Sequence, residues 1–218
     1  MKLKGFSRDQ LVGYVADQAD HLFPDRHRGD VRPAVASAID AALGRLERCI
    51  AGVRMWRAGE FDPLHSSQYT TFLYYLANTL WRERGDERVC TKLFYLNKAL
   101  NGFECFYDNE LPEIFFIGHT VGIVLVRNRY PSYFVIYQNA TVGKGTVDGE
   151  VPELGEGVIM YPNSAIIGGC RVGARTVISQ GTSVVNADTP GDCVVYRNGR
   201  DLVFARPKRN ILADYFRI

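Results

Sequence analysis

The sequence predicts an α+β chain, a helical first half followed by a β-solenoid, and three observations carry that prediction. Apolar residues recur at helical spacing, with few glycines, until the chain changes character near residue 101. Beyond that point Gly, Val and Ile dominate, and from Leu154 an aliphatic residue returns at every sixth position. A six-residue period fits neither an α-helix nor a simple two-faced strand. It fits short strands that turn at corners, so that each sixth side chain enters one interior stack.

In the first half, Ser7 stands three residues before Gln10, the spacing of a capping box. Leu11, Val12, Val15, Ala19 and Leu22 then form one helical stripe, which Pro24 ends. Pro33 suits the first turn of a second helix, continued by Val35, Ala38, Ile39, Ala42, Leu43, Leu46, Ile50 and Val53. Gly59 to Pro63 reads as a turn, after which Ser66 or Ser67 can cap a third helix running through Phe72, Leu76 and Leu80. Gly85-Asp86 breaks it, and Val89, Leu93, Leu96 and Leu100 mark a fourth. The aromatic residues Tyr69, Phe72, Tyr74, Tyr75 and Trp81 are expected to pack against the second half or another subunit.

The second half carries the period. Leu154, Met160, Ile166, Val172, Ile178 and Val184 occupy the aliphatic position, with Val158, Ser164, Cys170, Thr176 and Thr182 four positions after the first five. The phase extends upstream through Ile136 and Val142, with Ala140 and Thr146 at the small positions. Three such repeats, about 18 residues, close one triangular coil, and coils stack at roughly 4.8 Å. Gly143 to Pro152 spans a full period with Asp148 where an inward aliphatic belongs, so it is expected to be a loop extruded from the coil. The expected division is a helical domain over 1–101 and a solenoid domain with a C-terminal tail over 102–218.

Composition narrows the function. At 218 residues, 46% hydrophobic and 23% charged, with a net charge of +2, the chain has an ordinary globular balance and no bias toward nucleic acid or a membrane surface. The five cysteines form no C-x-x-C pair and suggest neither a disulfide framework nor a zinc knuckle. With no apolar leader and no apolar run of membrane-spanning length, a cytoplasmic protein is expected. The basic residues Arg206, Lys208 and Arg209 read as a solvated tail.

From Glu104 to Asn198 the sequence resembles the serine acetyltransferase family of hexapeptide-repeat acyltransferases. The anchor is Gly118-His119-Thr120-Val121-Gly122-Ile123-Val124-Leu125, followed by Tyr137-Gln138-Asn139-Ala140-Thr141-Val142-Gly143 and the repeats from Gly157. A helical region ahead of the repeats is also that family's layout. The resemblance implies a left-handed parallel β-helix, acetyl-CoA as co-substrate, no metal, and assembly as a homotrimer or a dimer of trimers. It implies His119 as the general base that takes a proton from an acceptor hydroxyl, and an acid fifteen positions earlier, here Glu104, that orients the imidazole. Asp108 and Glu113 are the nearby alternatives to Glu104. For the coenzyme it implies contacts at Lys144, Pro162, Asn163, Ser179 and Gln180, with Arg197, Arg200 and Lys208 toward the phosphates.

The sequence also departs from the family. The family carries an Asp directly before the catalytic His, where this chain has Gly118, and a His before the Pro of the extruded loop, where this chain has Val151. Acetyl transfer to a hydroxyl of a small acceptor, a sugar or an amino-acid derivative, is therefore expected, with serine itself disfavoured. An N-acyltransferase acting on an amino sugar and a non-catalytic scaffold are the alternatives. A zinc-dependent anhydrase on the same solenoid would need three His ligands, and the second half supplies only His119.

Overall fold

The computed structural model describes residues 1–146 and 149–218; Asp148, expected in the extruded loop, lies outside the described residues. The chain opens with β1 (Lys2–Leu3), α1 (Arg8–Leu22), α2 (Val31–Gly52), β2 (Glu60–Phe61), α3 (Ser66–Arg82) and α4 (Glu87–Asn101). The capping box forms as expected: Gln10 N–H donates to Ser7 Oγ at 3.2 Å and Ser7 N–H to Gln10 Oε1 at 2.7 Å.

Three local expectations are corrected. Gly59 to Pro63 holds the strand β2, which pairs in parallel with β1 and buries Phe61 completely. Neither Ser66 nor Ser67 caps α3; His65 holds that position without a side-chain bond. Asp62 closes the turn upstream instead, its carboxylate accepting from Leu64 N–H at 2.9 Å and its carbonyl from His65 N–H at 3.0 Å. Leu100 is exposed, because the last turn of α4 packs through Asn97, which donates to the Thr70 carbonyl at 3.0 Å, and Asn101, which donates to Asn97.

Helix α3 is buried on nearly every side, which explains its aromatic content. Tyr74 and Tyr75 meet Phe115 edge-on at 6.0 and 5.7 Å between ring centroids. Their hydroxyls satisfy the chain that enters the solenoid: Tyr74 donates to the Asn109 carbonyl at 2.8 Å and accepts from Leu111 N–H at 2.9 Å. The guanidinium of Arg45 lies over the Tyr75 ring and donates to Asn78 and Thr79. One continuous hydrophobic core therefore joins the helices to the solenoid.

The solenoid strands are β3 (Phe103–Cys105), β4 (Phe115–Gly118), β5 (Ile123–Leu125), β6 (Phe134–Tyr137), β7 (Thr141–Gly143), β8 (Glu153–Leu154), β9 (Ile159–Met160), β10 (Ala165–Ile167), β11 (Arg171–Val172), β12 (Val177–Ile178) and β13 (Ser183–Val185). They stack as three parallel sheets, in the orders β3-β5-β7-β10-β13, β4-β6-β9-β12 and β8-β11, through about five left-handed turns. The six-residue period is the interior: Ile136, Met160 and Ile178 stack in one row and Val142, Ile166 and Val184 in another, all fully buried.

The small residues have a second role at the corners. Ser164 Oγ donates to the Tyr161 carbonyl at 2.6 Å, Cys170 Sγ to Ile167 at 3.2 Å and Thr176 Oγ1 to Gly173 at 2.7 Å, so each returns a bond to the turn before it. Thr146 is exposed and takes no such place, because the coil opens before it. The chain makes ten steps from Gly143 to Glu153 where the coil below makes four, from Ile167 to Arg171. The resulting loop is pinned by Gly145 N–H donating to the Glu150 carbonyl at 2.8 Å.

At the far end β14 (Val194–Asn198) adds in parallel to β12, and β15 (Asp201–Ala205) folds back on it antiparallel, covering the last strand edge. Arg206, Lys208 and Arg209 are exposed, as expected, but the tail beyond them carries apolar anchors. It returns along the outer face of the β4-β6-β9-β12 sheet, burying Leu212, Tyr215 and Phe216 in and after α5 (Leu212–Tyr215). Beneath it the outward residues Phe116, Val135, Ile159 and Val177 are buried. Its end clamps the C-terminus of α2: Arg217 donates to the carbonyls of Ile50, Ala51, Val53 and Trp56 at 2.6 to 3.2 Å. The Ile50 and Ala51 carbonyls belong to the last turn of α2, which a helix end leaves without partners and where a cation is favoured, and Val53 and Trp56 follow in the turn after it.

Candidate active site

His119 sits at the corner between β4 and β5. The register makes this corner unlike those below it. Gly118 pairs with Tyr137 and Val124 with Thr141, so the chain takes six steps across the upper corner and four across the next. In the two coils beneath, the corresponding spans match residue for residue, Ile136 to Thr141 against Met160 to Ala165 and then Ile178 to Ser183. Two residues are therefore inserted at the corner that carries His119. The insertion holds His119 at φ +52°, a left-handed conformation uncommon for a residue with a side chain, and leaves its imidazole exposed while Thr120 is buried.

The surroundings hold this corner tightly. Gly122, Asn139, Asn163 and Gly181 all have positive φ and follow one another down the corner. Asn139 Nδ2 donates to Asn163 Oδ1 at 3.2 Å, tying two coils together. A Cβ at Gly118 would stand 2.5 Å from Cε1 of Tyr137, closer than atoms can approach. The aspartate that the family carries at this position has no room here. The Tyr137 ring has taken its volume.

Tyr137 belongs to a cluster that the sequence did not reveal. Its hydroxyl donates to that of Tyr215 at 3.2 Å, and Tyr215 donates to Tyr161 at 3.3 Å. The Tyr137 ring lies 6.2 Å from the imidazole of His119 and 5.8 Å from the Tyr161 ring. Burial raises the pKa of both Tyr137 and Tyr215, keeping the phenols neutral near pH 7. Tyr137 and Tyr161 directly follow the inward residues Ile136 and Met160, a shared phase that was readable; Tyr215 comes from the non-repetitive tail and was not.

The other residues singled out by sequence fall into two groups. Pro162, Asn163, Ser179 and Gln180 occupy the same corner two and three coils from His119, where Asn163 N–H donates to the Gln138 carbonyl and Gly181 N–H to that of Pro162. Lys144 lies elsewhere, exposed at the far end of β7. Glu104 lies on β3 opposite Val124; its carboxylate pairs with Lys98 at 2.9 Å, and no hydrogen bond joins it to His119. Of its alternatives, Asp108 pairs with Arg127 at 2.9 Å and Glu113 with Arg45 and Arg48. Arg197 is turned to the backbone, donating to the carbonyls of Arg200 and Ser183. A cavity of about 280 Å³ lies under the tail, lined by Ile159, Arg175, Asp192 and Arg209 among others, and His119 is not part of it.

The sequence matches no protein-family model and no curated protein. Its structure is similar to that of serine acetyltransferase from Vibrio cholerae, with a TM-score of 0.71 at 19% identity over 92% of this chain and 80% of that one. The Neisseria gonorrhoeae serine acetyltransferase gives 0.71 at 16% identity over 94% and 82%. The Brucella abortus enzyme, solved in complex with coenzyme A, gives 0.69 at 14% identity over 94% and 84%. Gly118, Tyr137 and the returning tail are thus set on the fold of the serine acetyltransferases, a helical region followed by a left-handed parallel β-helix.

Proposed function

We propose that this protein transfers an acetyl group from acetyl-CoA to a hydroxyl of a small acceptor, with His119 as general base. The observation that carries the reading is the two-residue insertion that projects His119, and no other imidazole of the solenoid, from a rigid corner of this fold. In the reaction the imidazole accepts the acceptor's hydroxyl proton as the oxygen attacks the thioester carbonyl. The tetrahedral intermediate then expels the CoA thiolate, which takes the proton back from the imidazolium, giving the acetyl ester and free CoA. In this reading Glu104 orients the imidazole, exchanging Lys98 for His119 to do so.

The coenzyme fits along the corner below His119, against Pro162, Asn163, Ser179 and Gln180, whose backbone groups face the coil turns. Coenzyme A bound to the similar Brucella abortus enzyme supports that ligand class. A convex corner encloses no substrate by itself, and ligand sites are concave. This favours a homotrimer in which a neighbouring solenoid supplies the opposite wall, and Lys144, one corner away, suits a contact made across that boundary. No helix among the described residues is long and apolar enough to cross a membrane. Five free, buried cysteines and a CoA-dependent reaction fit a cytoplasmic location.

The test is thiol release from acetyl-CoA over a panel of alcohols, sugars and amino sugars. His119→Ala is expected to lose about 10²- to 10⁴-fold in kcat while binding CoA as tightly by calorimetry. Undiminished turnover in that variant would overturn the mechanism, and product that is an amide would move the reaction to nitrogen.

A further inference from the structure

The Tyr137–Tyr215–Tyr161 cluster has no counterpart in the interior stack that builds the solenoid. Packing alone needs no hydroxyls at these positions, yet the three oxygens are linked in series at 3.2 and 3.3 Å. Tyr137 and Tyr161 are half-buried at the ends of adjacent strands, on the side of the corner where His119 stands, and Tyr215 is buried behind them. The order of donation leaves the Tyr161 proton and the Tyr137 lone pairs directed to neither of the other two. The strand ends here carry no charge: the residues are Gly118, Tyr137 and Tyr161. A zwitterionic amino acid needs an anion for its ammonium and a cation for its carboxylate, and loses more than it gains on a neutral phenol surface. A sugar ring needs the reverse, an apolar face to lie on and neutral groups that both donate and accept.

We propose that Tyr137 and Tyr161 form the acceptor-facing wall of the His119 site and select an uncharged polyhydroxylated acceptor, a sugar ring, over an amino acid, with Tyr215 as the positioning residue that aims their hydroxyls. The proposal rests on the reading of His119 as the acetyl-transfer base. It also accounts for Gly118: the wall exists only where no side chain stands before His119, since a Cβ there would meet the Tyr137 ring at 2.5 to 3.0 Å. The tail becomes part of the acceptor site, because Tyr215 is delivered by it and Arg217 ties it down two residues later.

The experiment compares wild type with Tyr137→Phe, Tyr161→Phe and Tyr215→Phe, which keep the rings and the packing. Acetyl-CoA is the donor, and methyl hexosides, an N-acetylhexosamine and L-serine are the acceptors. Wild type is expected to prefer the sugars. Each Phe variant is expected to raise the sugar KM about three- to tenfold, the loss of one or two hydrogen bonds, with the acetyl-CoA KM within about twofold of wild type. Preference for L-serine, or an unchanged sugar KM in all three variants, overturns the wall. The reading beneath it is tested separately by His119→Ala: loss of turnover there beside unchanged Phe variants removes the wall and keeps the base, whereas retained turnover removes the base.

Discussion

Replacing Gly118 by alanine tests whether Tyr137 excludes a side chain from the position before His119. The new methyl would lie 2.5, 2.8 and 3.0 Å from Cε1, Cδ1 and Cζ of Tyr137. The ring has little freedom to retreat. Its hydroxyl is bonded to Tyr215, and Phe116, Tyr161 and Tyr215 surround it at 5.8 to 6.2 Å between centroids. Overpacking of this kind costs about 1–3 kcal/mol, which for a chain of this length lowers Tm by roughly 2–4 °C per kcal/mol. Denaturant unfolding followed by tryptophan fluorescence is a suitable measure, since Trp56 packs edge-on against Phe116 at 5.6 Å. The decisive comparison adds Tyr137→Leu, which removes the obstructing ring. The double variant should be about 1–2 kcal/mol more stable than the sum of the single effects predicts. Additivity within about 0.5 kcal/mol would mean that residue 118 and Tyr137 do not compete for space, and the account of the missing aspartate would fail with it.

Two further predictions concern the tail and the thiols. Arg217→Ala removes the donors to four carbonyls in and just after the last turn of α2 and should cost about 1.5–3 kcal/mol, while trypsin cleavage between Arg206 and Arg209 accelerates; unchanged cleavage would show that the clamp does not hold the tail. All five cysteines are buried, so native protein should leave Ellman's reagent unreacted at pH 8, which also keeps the background of the CoA assay low. Burial pushes the Cys49 thiol from 9.0 to about 11. The unfolded chain therefore ionises first: the stability this thiol contributes is intact below pH 9 and is lost as pH rises toward about 11, by about 2–3 kcal/mol. Cys49→Ser should flatten that part of the pH profile, and an identical slope would refute the assignment.

Much of the solenoid was legible because each coil repeats one physical requirement. Every sixth residue must fill the same stack, so Met160, Ile166 and Ile178 announce themselves by spacing alone. A break in the repeat is equally visible, and the loop after Gly143 was found that way. His119 was singled out by its sequence frame, but the insertion that displays it needed the pairing of Gly118 with Tyr137 and Val124 with Thr141, a register no single strand encodes. The basic residues Arg206, Lys208 and Arg209 were legible as exposed, but the apolar anchors beyond them were not. Leu212, Tyr215 and Phe216 make no period, and they meet Gly157 just before β9, Tyr137 of β6 and Val53 just after α2. The pairing of Glu104 with Lys98 was likewise unreadable, since the two meet across a helix-to-strand junction whose geometry decides it.

That junction also says why the helical region is more than a cap on the solenoid. Helix α4 ends on Gly102 at φ +61°, and the Gly102 carbonyl accepts from both Gly122 N–H at 3.0 Å and Ile123 N–H at 3.1 Å. A Cβ at Gly102 would press on Gly122 N at 3.0 Å and Val121 Cα at 3.2 Å. The end of the helix and the inserted corner thus share one set of backbone contacts. A left-handed residue such as His119 persists only where its neighbours over-determine it, and here Gly102 supports the corner from the helical side while Gly118 admits Tyr137 from the solenoid side. The tail completes the enclosure, carrying Tyr215 to Tyr137 and Arg217 to the end of α2. Displacing α4 or releasing the tail would therefore alter the setting of His119 without touching the repeats, so segments outside the six-residue period help to shape this corner.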